Sequence, residues 1–259
     1  MSDSDTIGIE LLHQIIRHRR AIVLCAMMAV SATAWAYLLL DPGQVMGQRP
    51  SWDLPYAVMI LVMWVVMMAA MMLPTAAPTV LLVTAIAGDR LDNSDLVPAT
   101  AMLFTAGYLL VWCGFGVVAT LLQWGLDKAG LLSETMAFAN AISANTVFIA
   151  AGVYQWTPLK DTCLRHCRSP TKFLLRHWQK GMLRAVRTGV RHGLFCLGCC
   201  WMLMALMFVG GLMNVAWIGV IALLVLFEKT IPWGDSAGRF VGLMLIGWGT
   251  VDLIRIAMA

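Results

Sequence analysis

Charge is what this sequence has least of: 12% of its 259 residues are Asp, Glu, Lys or Arg, against about 25% in an ordinary soluble domain. A chain so short of solubilising surface does not fold as a water-soluble domain. Several catalytic signatures are missing too. The sequence has no Walker phosphate loop, no dinucleotide-binding glycine pattern after a strand, no Gly-x-Ser-x-Gly elbow and no zinc-protease helix motif. Without a nucleotide-binding domain it is not a self-contained ATP-driven pump. Covalent haem attachment is excluded, because Cys196 and Cys199 are followed by Cys200 where that motif needs His. Non-covalent haem is left only His192 or His166, since His13 and His18 lie in the N-terminal tail and His177 in a basic stretch. With no internal repeat, low-complexity tract or separate soluble portion, residues 1–259 read as one domain.

What the sequence has in abundance is apolar length. A hydrocarbon layer about 30 Å thick takes roughly 20 helical residues to cross, and blocks of about that size recur at 21–40, 56–87, 98–124, 138–156, 192–209, 214–227 and 240–256. The expected fold is therefore all-α, a polytopic transmembrane bundle of about seven spans. The first block follows a basic start, but its apolar stretch is longer than that of a signal peptide and no small-residue cleavage site follows. It reads as a retained span. The second is too long for one straight helix, and Pro74 and Pro78 are expected to kink or interrupt it.

Between the fourth and fifth blocks lies the one long polar stretch, 158–191. It carries Lys160, Arg165, Arg168, Lys172, Arg176, Lys180, Arg184, Arg187 and Arg191 against Asp161 alone. Positively charged loops resist translocation, so this one is cytoplasmic. Counting spans back places the N-terminus inside as well, in agreement with Arg17, Arg19 and Arg20, and counting forward places the C-terminus outside. The loop's expected partner is the anionic lipid surface and not nucleic acid. The localisation that follows is a multi-pass place in a membrane, with the bilayer as the first partner.

Coordinating groups inside a bilayer are costly enough that they usually mark function. The densest set is His192-Gly-Leu-Phe-Cys196-Leu-Gly-Cys199-Cys200-Trp201. Positions 192, 196, 199 and 200 are related by helical steps of three and four and share one face, which Met204 and Met207 prolong. Cys and Met are soft donors that favour Cu(I), while Cys with His also suits zinc. A disulfide does not fit a reduced cytoplasmic end and a single straight helix. The competing reading is that cysteine packs well between helices as a small apolar residue.

A second thiol pair, Cys163 and Cys167, sits four residues apart at the other end of the basic stretch, next to His166. Both clusters start from the same side of the membrane and are able to meet. Glu228, followed by Lys229, lies roughly 16 residues from Leu212, as does Cys196 on the other limb of the turn at 210–213, so the two are at similar depth, about 24 Å from it. Glu228 reads as a hard ligand, a partner for His192 or a proton acceptor, or else as an interfacial pair with Lys229. Met59, Met63, Met67 and Met71 recur every four residues around Trp64. They form either a low-affinity thioether path for Cu(I) or adaptable packing.

These segments carry a resemblance. Met63-Trp-x-x-Met67-Met68 leading to Pro74, Gly152-x-Tyr154-Gln155-x-x-Pro158-Leu159-Lys160-x-x-Cys163-x-x-x-Cys167-Arg168-x-Pro170, the His192 to Trp201 run and Glu228-Lys229 are similar to a bacterial family of predicted metal-binding integral membrane proteins. That family has long carried a domain-of-unknown-function label. The resemblance implies a helical membrane fold and a metal site at Cys163, Cys167, His192, Cys196, Cys199, Cys200 and Glu228.

The function expected from the residues is binding of a soft transition metal, most of all Cu(I), for transport or for delivery to a metal chaperone or metalloenzyme partner. Zinc is the second choice of metal. Two other classes stand beside this: a membrane redox enzyme with Trp64, Trp201 and Tyr154 around its centre, and an assembly or structural subunit whose thiols are packing.

Overall fold

The computed structural model describes residues 3–40, 52–90, 96–133, 135–169 and 182–258. Lys172, Arg176, His177 and Lys180 lie outside the described residues, as do the side chains of Arg17, Arg19 and Arg20. The described chain is all-helical apart from an isolated bridge, Leu132 to Phe138. In order the helices are α1 (Asp3–Leu40), α2 (Leu54–Arg90), α3 (Leu96–Lys128), α4 (Ala141–Tyr154), α5 (Pro158–Arg168), α6 (Met182–Ala205), the single turn α7 (Met207–Gly210), α8 (Val215–Thr230) and α9 (Gly234–Met258).

Five of these segments are long and apolar enough to cross a membrane: Ala21–Leu40, Leu54–Gly88, Leu96–Lys128, Met182–Gly210 and Gly234–Met258. With 14 and 16 residues, α4 and α8 reach only about 21 and 24 Å. Both sides of the long helices are apolar. Trp64, Phe104, Tyr108 and Trp112 are fully buried, yet Phe240, Leu243, Met244 and Trp248 of α9 and Met102, Leu110 and Leu121 of α3 point outward and are exposed. An outer surface of that kind is suited to lipid and not to water.

Adjacent packing runs α1 on α2, α2 on α3 and α3 on α6, with α4 against α9 and α5 lying on α6. The α3–α6 crossing is the closest. A side chain on Gly107 would meet the Val186 carbonyl, and one on Gly189 would meet the Phe104 carbonyl. Small residues at such crossings let two backbones approach.

Three expectations are corrected here. Of the kink or interruption expected at Pro74 and Pro78, the interruption is not made, since α2 runs unbroken through both. Proline supplies no N–H to the carbonyl four residues back, and at Ala70 that vacancy is filled from α1, where the buried Ser31 donates Oγ to the Ala70 carbonyl at 2.8 Å. Ser31→Ala should therefore cost about 1–2 kcal/mol, and adding Pro74→Ala should remove the cost by restoring the amide. Unfolding in detergent of the two variants beside wild type measures both. If Ser31→Ala is as stable as wild type, this compensation is not made.

Second, 158–191 is not a single polar loop. Thr157 caps α5 by accepting from the Lys160 amide at 3.3 Å, Pro158 takes the first helical position and Asp161 the first turn, a set of start signals readable in the sequence. Third, α6 begins ten residues ahead of His192. Its first turns place Arg184, Arg187 and Arg191 on an exposed face while Gly189 is buried, so the basic residues clothe a helix. At the far end the helix breaks at Leu206, whose carbonyl accepts from Trp217 Nε1 at 2.8 Å.

Candidate metal centre

The site is assembled where α5, α6 and α8 meet beside α2 and α3. Cys196, Cys199 and Cys200 are buried on the inner face of α6 at 1–2% exposure. The Cys199 and Cys200 thiols each rest 3.0 Å from the Cys196 carbonyl. From α5, Cys167 Sγ comes to 4.0 Å from Cys199 Sγ, across 32 residues of chain. Cys163 is also turned inward, its Sγ 2.7 Å from where a Cβ on Gly198 would sit. A side chain at 198 would push this sulfur aside. Tyr154 secures the same point by donating its hydroxyl to the Gly198 carbonyl, with Trp201 edge-on to its ring at 5.4 Å. Burial, reinforced by the nearby Cys199, holds the Cys163 thiol above its ordinary range, so a metal bound there must displace a proton.

The thiol pair of α5 and the three thiols of α6, which the sequence separates by the basic stretch, thus come together at Cys167 and Cys199. A metal with bonds of about 2.3 Å to sulfur sets two thiolates roughly 3.8 Å apart in tetrahedral geometry and roughly 4.6 Å apart in linear geometry. The Cys167–Cys199 separation of 4.0 Å lies between these values, and a donor set of buried thiols is the soft kind that Cu(I) prefers. Among the described residues, no three His, Cys, Asp or Glu groups are placed to hold a metal ion together. The chemistry of the donors fits copper, while the arrangement is an open set on two helices.

The remaining sequence candidates fall around this cluster. His192 is 3% exposed and held between the rings of Phe104 and Tyr108, with centroids 5.8 and 5.7 Å away. Its flank is therefore aromatic. His166 stacks flat on Phe195 at 4.3 Å, with its Nδ1 2.8 Å from the Thr162 carbonyl. Met204 and Met207 are fully buried in the apolar core, on opposite sides of the break at Leu206 that cuts the single stripe drawn from the sequence. Of the α2 methionines, Met67, Met68, Met71 and Met72 are core residues. The α2 backbone reaches the site itself, since the Met72 carbonyl accepts from Tyr108 OH at 3.1 Å.

The PpoB2 family model, described as copper chaperone, matches residues 61–251, from within α2 into α9. The chain belongs to this family. No curated protein and no solved structure matches the chain. In this PpoB2-family chain the matched span includes every residue of the thiol cluster and the groups that hold it.

Two of the roles read for Glu228 are not formed, since it pairs with neither His192 nor Lys229. Its Oε2 lies 2.6 Å from Lys160 Nζ, with both side chains at 2–3% exposure, and its Oε1 accepts from Gln155 Nε2 at 3.2 Å. Lys160 also donates to Gln155 Oε1. This closed triad ties α5 to α8 and to the end of α4. Two further pairs bind α5 to the start of α9, Arg168 with Asp235 at 2.7 Å and Asp161 with Arg239 at 2.8 Å. Arg168 also donates to the Ile231 carbonyl at 2.5 Å. Part of the apparent topology signal is therefore internal clamping of the helix that presents Cys163 and Cys167.

Lys229, which the sequence reading left at the interface, turns inward instead. Its Nζ is 2.9 Å from Cys196 Sγ, 3.9 Å from Cys200 Sγ and 3.4 Å from Thr75 Oγ1. The Tyr108 hydroxyl lies 3.0 Å from the same Cys196 sulfur. Lys160, Gln155, Tyr108 and Thr75 were not picked out as site residues. Lys160 and Gln155 stand inside the motif beside the cysteines, which is the signal that marks them. Tyr108 and Thr75 carry no local signal and enter only through packing.

Proposed function

We propose that this chain is a multi-pass protein of the bacterial inner membrane that takes Cu(I) as cargo at the thiol cluster and delivers it to a partner. The observation that carries the reading is the approach of Cys167 to Cys199 at 4.0 Å, which brings the Cys163–Cys167 pair against the three cysteines of α6 as one soft-donor set, buried except at the half-buried Cys167. Membership of a family described as copper chaperone supports copper as the metal, and the five long apolar segments support a bilayer setting. Seven spans, with the N-terminus and the α5–α6 connection on the cytoplasmic side, remain the topology that the Lys and Arg distribution favours.

In this reading Cys196, Cys199 and Cys200 are thiolate donors on a rigid helix. Cys163 and Cys167 sit on α5, a short helix at the edge of the bundle, and load or complete the site. His192 stands one turn away from Cys196. Glu228 serves as the anchor of α5. An open, two-helix donor set holds an ion without enclosing it, which suits a protein that must give its metal up. Met204, Met207 and the α2 methionines are the onward path, because thioethers hold Cu(I) without losing a proton.

The test is elemental mass spectrometry on detergent-purified protein loaded under reducing conditions. Wild type should carry near-stoichiometric copper. A Cys196→Ser, Cys199→Ser, Cys200→Ser variant of equal folded yield should carry almost none, and Cys167→Ser should weaken binding at least about tenfold. Absence of copper from reconstituted wild type would leave the cysteines as packing groups.

A further inference from the structure

We propose that Lys229 determines the charge of the ion this site accepts, favouring a monovalent soft metal over a divalent one. The inference rests on the copper reading and adds to it a residue that binds no metal.

The geometry is that of a fixed cation built into the wall of a cation site. The Lys229 ammonium lies 2.9 Å from one thiol donor and 3.9 Å from another. A metal held by Cys196 or Cys200 must therefore sit close to it. Repulsion between the ammonium and the ion scales with the charge of the ion. Whatever the number of thiolates engaged, the ammonium opposes a divalent ion beside these sulfurs about twice as strongly as a monovalent one.

What makes this decisive is that, among the described residues, no carboxylate is placed to cancel Lys229. The groups facing it are Thr75 from α2, Tyr108 from α3, and Cys196, Cys199 and Cys200 from α6, with His192 one turn further along α6. Its own neighbour Glu228 points away and is already matched by Lys160 at 2.6 Å. Two adjacent residues of α8 thus have separate tasks. Glu228 holds α5, and Lys229 weights the pocket against extra positive charge.

The experiment compares thiol-binding ions of different charge, each variant read against wild type so that intrinsic softness cancels. Purified wild type, Lys229→Leu and Lys229→Arg are each equilibrated with Ag(I) against Cd(II), and separately with Cu(I) against Zn(II), and the bound metals are counted by elemental analysis. Lys229→Leu, which removes the charge without adding a sulfur donor, should shift the relative affinity toward the divalent ion by at least about a hundredfold, while Lys229→Arg keeps the wild-type ratio. Thr75→Asp is a second, independent variant, in which the lysine stays and an opposing carboxylate is added beside it. It should move the ratio in the same direction. An unchanged ratio in Lys229→Leu and Thr75→Asp overturns the role of Lys229 while leaving copper binding intact. Failure of wild type to bind any of the four ions overturns the copper reading and this inference with it.

Discussion

Glu228→Gln is expected to destabilise the folded bundle by about 3–5 kcal/mol, the cost of leaving one member of a buried ion pair without its partner. Lys160 and Glu228 are each 2% exposed and lie 2.6 Å apart, so the lysine left behind has no water to turn to. Lys160→Met should cost a comparable amount. The double variant Lys160→Met, Glu228→Gln should recover most of the loss, because it strands no charge. Copper binding separates this structural role from a ligand role. If Glu228 anchors α5, the double variant binds copper with near-native affinity, whereas a direct ligand would not be rescued by a change at 160. Denaturant unfolding in bicelles and a copper competition titration give the two readouts. Equal stability of both single variants and wild type would show that the triad is not formed.

Gly189→Ala is expected to be nearly as damaging, and to reach the site by another route. The added methyl meets the Phe104 carbonyl oxygen on α3, and backbone cannot swing aside as a flexible side chain can. The α3–α6 pair has to separate, at a cost of about 3 kcal/mol, the upper end of ordinary overpacking. Gly107→Ala meets the Val186 carbonyl from the opposite side of the same crossing and should behave alike. Separation of α3 from α6 also draws Tyr108 OH away from Cys196 Sγ, now 3.0 Å apart, and loosens the aromatic flank of His192. Copper affinity should fall with stability. Gly114→Ala is the matched control, since a methyl there meets nothing within 4 Å. Loss at 189 and 107 with no change at 114 confirms the crossing, and equal behaviour of all three refutes it.

Much of the helical architecture was legible beforehand, because the length and composition of an apolar block do not depend on what it packs against. The long blocks at 21–40, 56–87 and 98–124 correspond to α1, α2 and α3, and that at 240–256 lies within α9. The boundaries of α6 were less legible. Arg184, Arg187 and Arg191 look like loop when counted as charge and like a helix face when counted by spacing, and the structure shows the second. That α2 continues through Pro74 was not legible, because the hydroxyl that satisfies Ala70 comes from Ser31, 39 residues earlier. No local pattern announces it.

The similar depth of Cys196 and residues 228–229 did follow from counting along two antiparallel helices, and Lys229 Nζ does lie 2.9 Å from Cys196 Sγ. Which of the two adjacent residues faces the thiols did not. Consecutive helical positions differ by about 100°, so a modest rotation of α8 decides between a carboxylate and an ammonium at the site. That rotation is set by Lys160 and Gln155 gripping Glu228 from α5 and the end of α4.

By itself, the sequence determined composition, helical class, the spacing that puts three thiols on one face of α6, and the depth at which α6 and α8 meet. These are properties of one helix or one turn, and helical periodicity and rise are enough to settle them. Only the tertiary structure decided that Cys167 joins Cys199, that Glu228 holds α5 and that Lys229 faces the thiols. Those outcomes depend on how each helix is rotated about its axis, and rotation is set by contacts such as Gly189 on Phe104 and Lys160 on Glu228, made between residues far apart along the chain.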